Sequence, residues 1–128
     1  MPLPPEYRST VFLLEGAPAP LPSSFAIVTA WNPMDENTPA GENEEKNAEL
    51  RRELELRHLP YFRATGCSPD LRHREPGWAV VACPEDALAL GKKFRQRAIW
   101  RIEQDNLIIV DCANGSMEAI ASFSSRLR

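Results

Sequence analysis

Apolar residues fall along this chain mostly in short continuous runs, with helical spacing confined to two stretches. Thr10-Val11-Phe12-Leu13-Leu14 is rich in strand formers and too short for a helix, so a strand is expected from about Ser9 to Glu15. Gly16 to Ser24 carries Pro18, Pro20 and Pro22, whose fixed backbone angles favour an extended connection over a tight hairpin turn. Phe25 to Ala30 is then apolar throughout except for Thr29, the pattern of a strand covered by neighbours. Trp31-Asn32-Pro33 ends that strand, because proline removes a ladder donor and biases its predecessor away from helical angles.

The next stretch is helical, opening at Thr38-Pro39 and running to about His58, with Pro60 as the stop. Leu50 and Leu54 make its apolar stripe. At about 100° per residue, Asn43 and Asn47 lie on the same stripe, nearer the helix start. The buried face therefore changes from leucine to asparagine as it approaches Trp31-Asn32-Pro33.

Tyr61 to Cys67 reads as a strand, Ser68 to Gly77 as a polar loop, and Trp78 to Ala82 as a second wholly apolar strand. Cys83-Pro84-Glu85-Asp86 opens a second helix, with acids where the helix dipole favours them. Its stripe is Ala87, Gly91 and Phe94, and its last turns carry Lys92, Lys93, Arg95 and Arg97. Ala98 to Glu103 and Leu107 to Cys112 form a hairpin across Gln104-Asp105-Asn106. From Ser116 onward the pattern is ambiguous, and a short helix fits.

This order of elements predicts an α+β two-layer sandwich with a ferredoxin-like βαββαβ core, an extra N-terminal strand and a C-terminal hairpin strand. The two apolar strands are expected to be central, adjacent and parallel, so that both helices start at one edge of the sheet. The expected organisation is a single domain over 1–128, with a flexible arm at 1–6, a core at 7–112 and a C-terminal extension at 113–128.

Composition narrows the function classes. A chain of 128 residues with 43% hydrophobic and 26% charged residues suits one globular domain. Its formal charge of -3 gives no global reason to expect nucleic acid or an anionic membrane as partner. Cys67, Cys83 and Cys112 lack the dense spacing of a disulfide scaffold and read as thiols of a reducing compartment. With no signal pattern and no apolar run near about 18 residues, no membrane association is expected and the default location is cytoplasmic.

Thr29-Ala30-Trp31-Asn32-Pro33, then Asn43 and Asn47 on a helix with Leu50 and Leu54, then Glu75-Pro76 before an apolar strand, together resemble a bacterial family of small proteins, domain of unknown function 3293. The likeness spans roughly Tyr7 to Cys112. It implies a bacterial cytoplasmic protein and points to the same polar positions, without an activity to carry over.

The candidate ligand-binding set is Thr29, Trp31, Asn32, Asn43 and Asn47, with Glu75 joining it through that resemblance. The expected partner is a small polar ligand or another protein, bound where the two helix starts meet. The competing structural reading is that the three asparagines satisfy backbone groups at the sheet edge. A second class is a small enzyme at the same edge, with Glu44 or Glu75 as acid-base group and no catalytic residue assigned. A third is nucleic-acid binding through the basic run Lys92 to Arg101, against which helix-dipole compensation is the stronger explanation. Core packing is the favoured reading of Trp31 and Trp78, whereas Trp100 beside Arg97 and Arg101 could face outward as a patch. Cys83 could be an activated thiol at a helix start, although Glu85 and Asp86 oppose the thiolate. No metal and no cofactor are expected, since no ligand spacing is present. A homodimer could form by edge pairing of Leu107 to Cys112.

Overall fold

The apolar runs become strands and the two periodic stretches become helices. In chain order these are β1 (Val11–Glu15), β2 (Ser24–Val28), α1 (Ala40–Leu56), β3 (Tyr61–Cys67), β4 (Arg74–Val80), α2 (Pro84–Lys93), β5 (Ala98–Glu103), β6 (Asn106–Asp111) and β7 (Met117–Ser122). The structure is a computed structural model describing residues 3–128. Short 3-10 helices occupy Pro5–Ser9, Pro33–Asp35 and Ser124–Arg126. The first overlaps the segment expected to be an arm, of which residues 1 and 2 lie outside the described residues. The ambiguous end supplies the strand β7, which joins the sheet, and only then a short helical turn.

All seven strands form one sheet in the order β1-β3-β4-β2-β5-β6-β7, and every neighbouring pair is antiparallel. The expected ferredoxin-like two-layer sandwich is corrected by this sheet, which is larger and curls into a half-barrel. Phe12 on β1 and Trp100 on β5 are four strand positions apart, about 19 Å in a flat sheet. Their ring centroids nevertheless lie 5.3 Å apart, which only a curled sheet permits.

The continuous apolar runs explain the curl. Successive side chains point to opposite faces, so the run through β2 sends Ala26 and Val28 to one side and Phe25 and Ile27 to the other. Both sides then need cover. The helices supply it on one face, where Leu50 and Leu54 of α1 and Ala87 and Leu90 of α2 join Trp78, Val80 and Ile99. Each such leucine contributes about 1.5–3 kcal/mol on burial. On the other face the sheet folds around its own aromatic cluster of Phe12, Phe25, Phe62, Trp100 and Phe123. Gly91 sets how closely α2 seats, because a Cβ there would lie 2.6 Å from the Ile99 Cγ2.

A second correction concerns direction. β2 and β4 are adjacent as expected but antiparallel, with Ala26 opposite Val80 and Val28 opposite Trp78. The crossover through α1 makes β3 run with β2, and the β3–β4 hairpin then reverses β4. The helices therefore start at opposite edges, and the Trp31-Asn32-Pro33 and Cys83-Pro84 turns are not neighbours. β4 also begins earlier than expected, so that Glu75, Pro76 and Gly77 are strand residues.

At the edges, β1 lies beside β3. β6 is paired on both sides, so the dimer route through Leu107 to Cys112 is already occupied by β7. The chain then returns to β1: Leu127 bridges to Phe12, and the Arg126 Nη1 donates to the carbonyls of Arg8 and Thr10, each at 2.9 Å. Among the described residues, no helix is long and apolar enough to cross a membrane.

Candidate functional site: a cleft on the concave face

The turn after β2 is held by asparagine. Asn32 adopts a left-handed conformation, φ 44 and ψ 64, which Asn tolerates better than most residues. The Asn43 Oδ1 accepts from the Asn32 backbone N–H at 2.8 Å. Its Nδ2 donates to the Asn32 Oδ1 at 2.9 Å and to the Thr38 carbonyl at 3.1 Å. The Asn47 Oδ1 accepts from the Ala30 N–H at 3.4 Å, and the Asn47 carbonyl accepts from the Trp78 indole at 3.0 Å. Asn43 and Asn47 are 1% and 6% exposed. Their amides tie α1 to the turn and do not line the cleft beyond it.

What the tie positions is more open. Thr29 donates to the Pro76 carbonyl and accepts from the Trp31 N–H, turning the chain out of the sheet. The Gln96 Nε2 donates to the Trp31 carbonyl at 3.3 Å, and the Met34 N–H to the Arg95 carbonyl at 2.7 Å. The Pro33–Asp35 turn is thereby fixed, and Asp35 is delivered to the mouth of the half-barrel.

There the concave face opens into a cleft of about 480 Å³. Its floor is Ile27, Ala64, Ala98 and Trp100, small residues alternating with large ones so that a hollow remains above the indole. Its roof is the Pro5–Ser9 helix, whose Tyr7 ring lies 6.0 Å from that of Trp100. The Tyr7 hydroxyl donates to the Asp35 Oδ1 at 2.7 Å, and the Arg97 Nη1 donates to the Oδ2 at 3.4 Å. Burial, reinforced by the hydrogen bond to Asp35, pushes the phenol far above its ordinary range, so it stays a donor.

Across the mouth, the His73 Nε2 is 2.8 Å from the Glu75 Oε2. Burial raises the Glu75 pKa, and His73 only partly offsets this. Glu6, Asp35 and Glu75 bring three carboxylates to the rim. Among the described residues lining the cleft, none is lysine or arginine.

Of the residues singled out in the sequence, Thr29 and Glu75 line this cleft, while Asn32, Asn43 and Asn47 form the tie behind it and Trp31 is half-buried. Tyr7, Asp35 and His73 were not in the candidate ligand-binding set, and Trp100 entered the sequence reading only as a candidate surface patch. The alternation of large and small residues in Ala98-Ile99-Trp100 could have indicated a hollow, but only with the curl known. Trp100 is buried rather than outward-facing. Arg101 points to the opposite face, where its Nη2 donates to Ser24 at 3.0 Å and also meets Glu103, so the expected Trp100 patch does not form. Glu44 is exposed on α1 and away from the cleft. In the basic run, Lys93 pairs with Glu53 at 2.8 Å and Arg97 with Asp35.

Two of the three thiols, Cys67 and Cys112, are buried. Cys67 lines the cleft, and burial raises its pKa; burial likewise pushes Cys112 up to about 11. Cys83 is exposed at the start of α2 and makes no side-chain capping bond. Among the described residues, no group of three or more His, Cys, Asp or Glu is gathered to hold a metal ion.

A family model described as "Protein of unknown function (DUF3293)" matches residues 28–99, from the end of β2 to the start of β5. No curated protein and no solved structure matches the chain.

Proposed function

The chain belongs to the DUF3293 family of proteins of unknown function, and we propose that it is a binding protein for a small, largely apolar molecule held in the concave cleft. The observation that carries this reading is the hollow over Trp100. Its volume of about 480 Å³ is in the range of small-molecule sites, which combine an apolar lining with a few polar groups. The three free cysteines support a reducing, cytoplasmic setting.

The test is to fill the floor. Ala98→Leu adds apolar volume above the indole without a new polar group. Wild-type protein isolated under mild conditions is expected to carry a small molecule in native mass spectrometry, or to be stabilised by members of an apolar fragment panel. Ala98→Leu is expected to lose both. If nothing bound the wild type more strongly than the filled variant, the reading would be wrong.

The His73–Glu75 pair favours a second reading, a small enzyme that moves protons at the cleft mouth, since a carboxylate-oriented imidazole suits acid-base work. Recovery of a bound molecule chemically altered after incubation with the protein would separate an enzyme from a binder.

A further inference from the structure

We infer that the molecule held in the cleft is an amphipathic amine, its apolar body over Ile27 and Trp100 and its ammonium hydrogen-bonded to the Oε1 of Glu75. This rests on the binding reading above and adds the charge class of the ligand.

Three observations converge on it. The cleft is two-toned, with an apolar floor and carboxylates of Glu6, Asp35 and Glu75 at its mouth. An anionic ligand seated on that floor would bring like charges together where water is partly excluded, which costs affinity. Arg97, which reaches the rim, is engaged there with Asp35.

The rim carboxylates are also not equivalent. Asp35 has both oxygens taken, one by the Tyr7 hydroxyl and the other by Arg97. Glu75 has only its Oε2 engaged, by His73 at 2.8 Å. Glu6 is solvent-exposed on the roof, so the Glu75 Oε1 is the acceptor left on a part-buried rim carboxylate, one whose charge burial disfavours. An ammonium supplies both a donor and a compensating charge, and charge-assisted bonds are the stronger class. A neutral apolar ligand would cover the carboxylate further and return nothing. His73 need not be displaced, because it uses the other oxygen.

Phenethylamine, phenethyl alcohol and phenylacetate have similar bodies and differ in the charge of the head. Each is titrated calorimetrically into wild type, Glu75→Gln and Ala98→Leu at neutral pH. Phenethylamine is expected to bind wild type about tenfold more tightly than the alcohol, with phenylacetate weakest. Glu75→Gln should remove the advantage of the amine over the alcohol. Equal binding of the three probes, abolished by Ala98→Leu, would overturn the amine inference and leave the cleft reading standing. Phenylacetate as the tightest probe, or an amine insensitive to Glu75→Gln, would also overturn it. If none of the three bound wild type, the binding reading and this inference would fall together.

Discussion

The two faces of the sheet bury aromatic and aliphatic side chains alike, yet they treat polar groups in opposite ways. On the helix-covered face, Asn43 and Asn47 are sealed in and their oxygens accept from named backbone donors, Asn32 and Ala30. On the concave face, Tyr7, Asp35, His73 and Glu75 pair with one another at the border of an open hollow. A buried polar group that satisfies backbone donors is a strut, and losing it costs the fold. A polar group paired across a rim costs little to alter, and that leaves it available to a ligand. The asparagines look more like a site in the sequence, but it is the rim that borders the open cleft.

The contrast can be broken in order of expected effect. Asn43→Leu keeps the volume but leaves the Asn32 N–H and the Thr38 carbonyl without this partner, and should lose about 2–4 kcal/mol in denaturant unfolding. A near-neutral result would mean the amide is not a strut. Gly77→Ala comes next, because a Cβ there would lie 2.7 Å from the Val28 carbonyl where β2 leaves the sheet. A loss of about 1–3 kcal/mol is expected. Tyr7→Phe removes the hydroxyl bond to Asp35 while keeping the ring on Trp100. About 1 kcal/mol should go, with faster amide exchange confined to the roof.

Glu75→Gln should have the smallest effect and the opposite sign. The folded-state pKa of Glu75 is raised by burial, so between its unfolded value of about 4.3 and the folded one the native state binds more protons than the unfolded. Ionising Glu75 therefore withdraws stability as pH rises through that window. The amide should raise the melting temperature slightly at neutral pH, on the order of 0.5 kcal/mol or less. That gain should vanish below the ordinary carboxylate range. A destabilised Glu75→Gln at neutral pH would make the His73 pair a strut as well and erase the contrast.

Much of the framework was legible in the sequence because it is local. Pro33, Pro60 and Pro84 stop or start elements wherever they stand, and the spacing of Leu50, Leu54, Asn43 and Asn47 fixes the inner face of α1. The reading of the asparagines as backbone partners also rested on local spacing, and their hydrogen bonds follow that reading. The direction of β4 was open to error because it depends on combining a crossover with a hairpin, and a wrong sign there moved the expected site to an edge that does not exist. β7 was missed because Met117 to Ser122 is mostly exposed and lacks the alternation of a half-buried strand. The cleft draws on segments from Pro4 to Trp100, brought together only by a curl that no single stretch encodes.

The position of β1 has a kinetic consequence. Its ladder partner is β3, with Val11 opposite Cys67, so the wall bearing Phe12 cannot dock until the chain through β3 has been laid down. Long-range closure of this kind comes late in folding, and the roof helix just before β1 closes with it. Such segments also tend to open at low cost. Amides of residues 7–14 should therefore exchange with solvent sooner than those of β4, which is flanked on both sides by strands. The residence time of a molecule on Trp100 would then be governed by how often the Tyr7–Asp35 latch lets go, making the roof a timer for whatever the cleft holds.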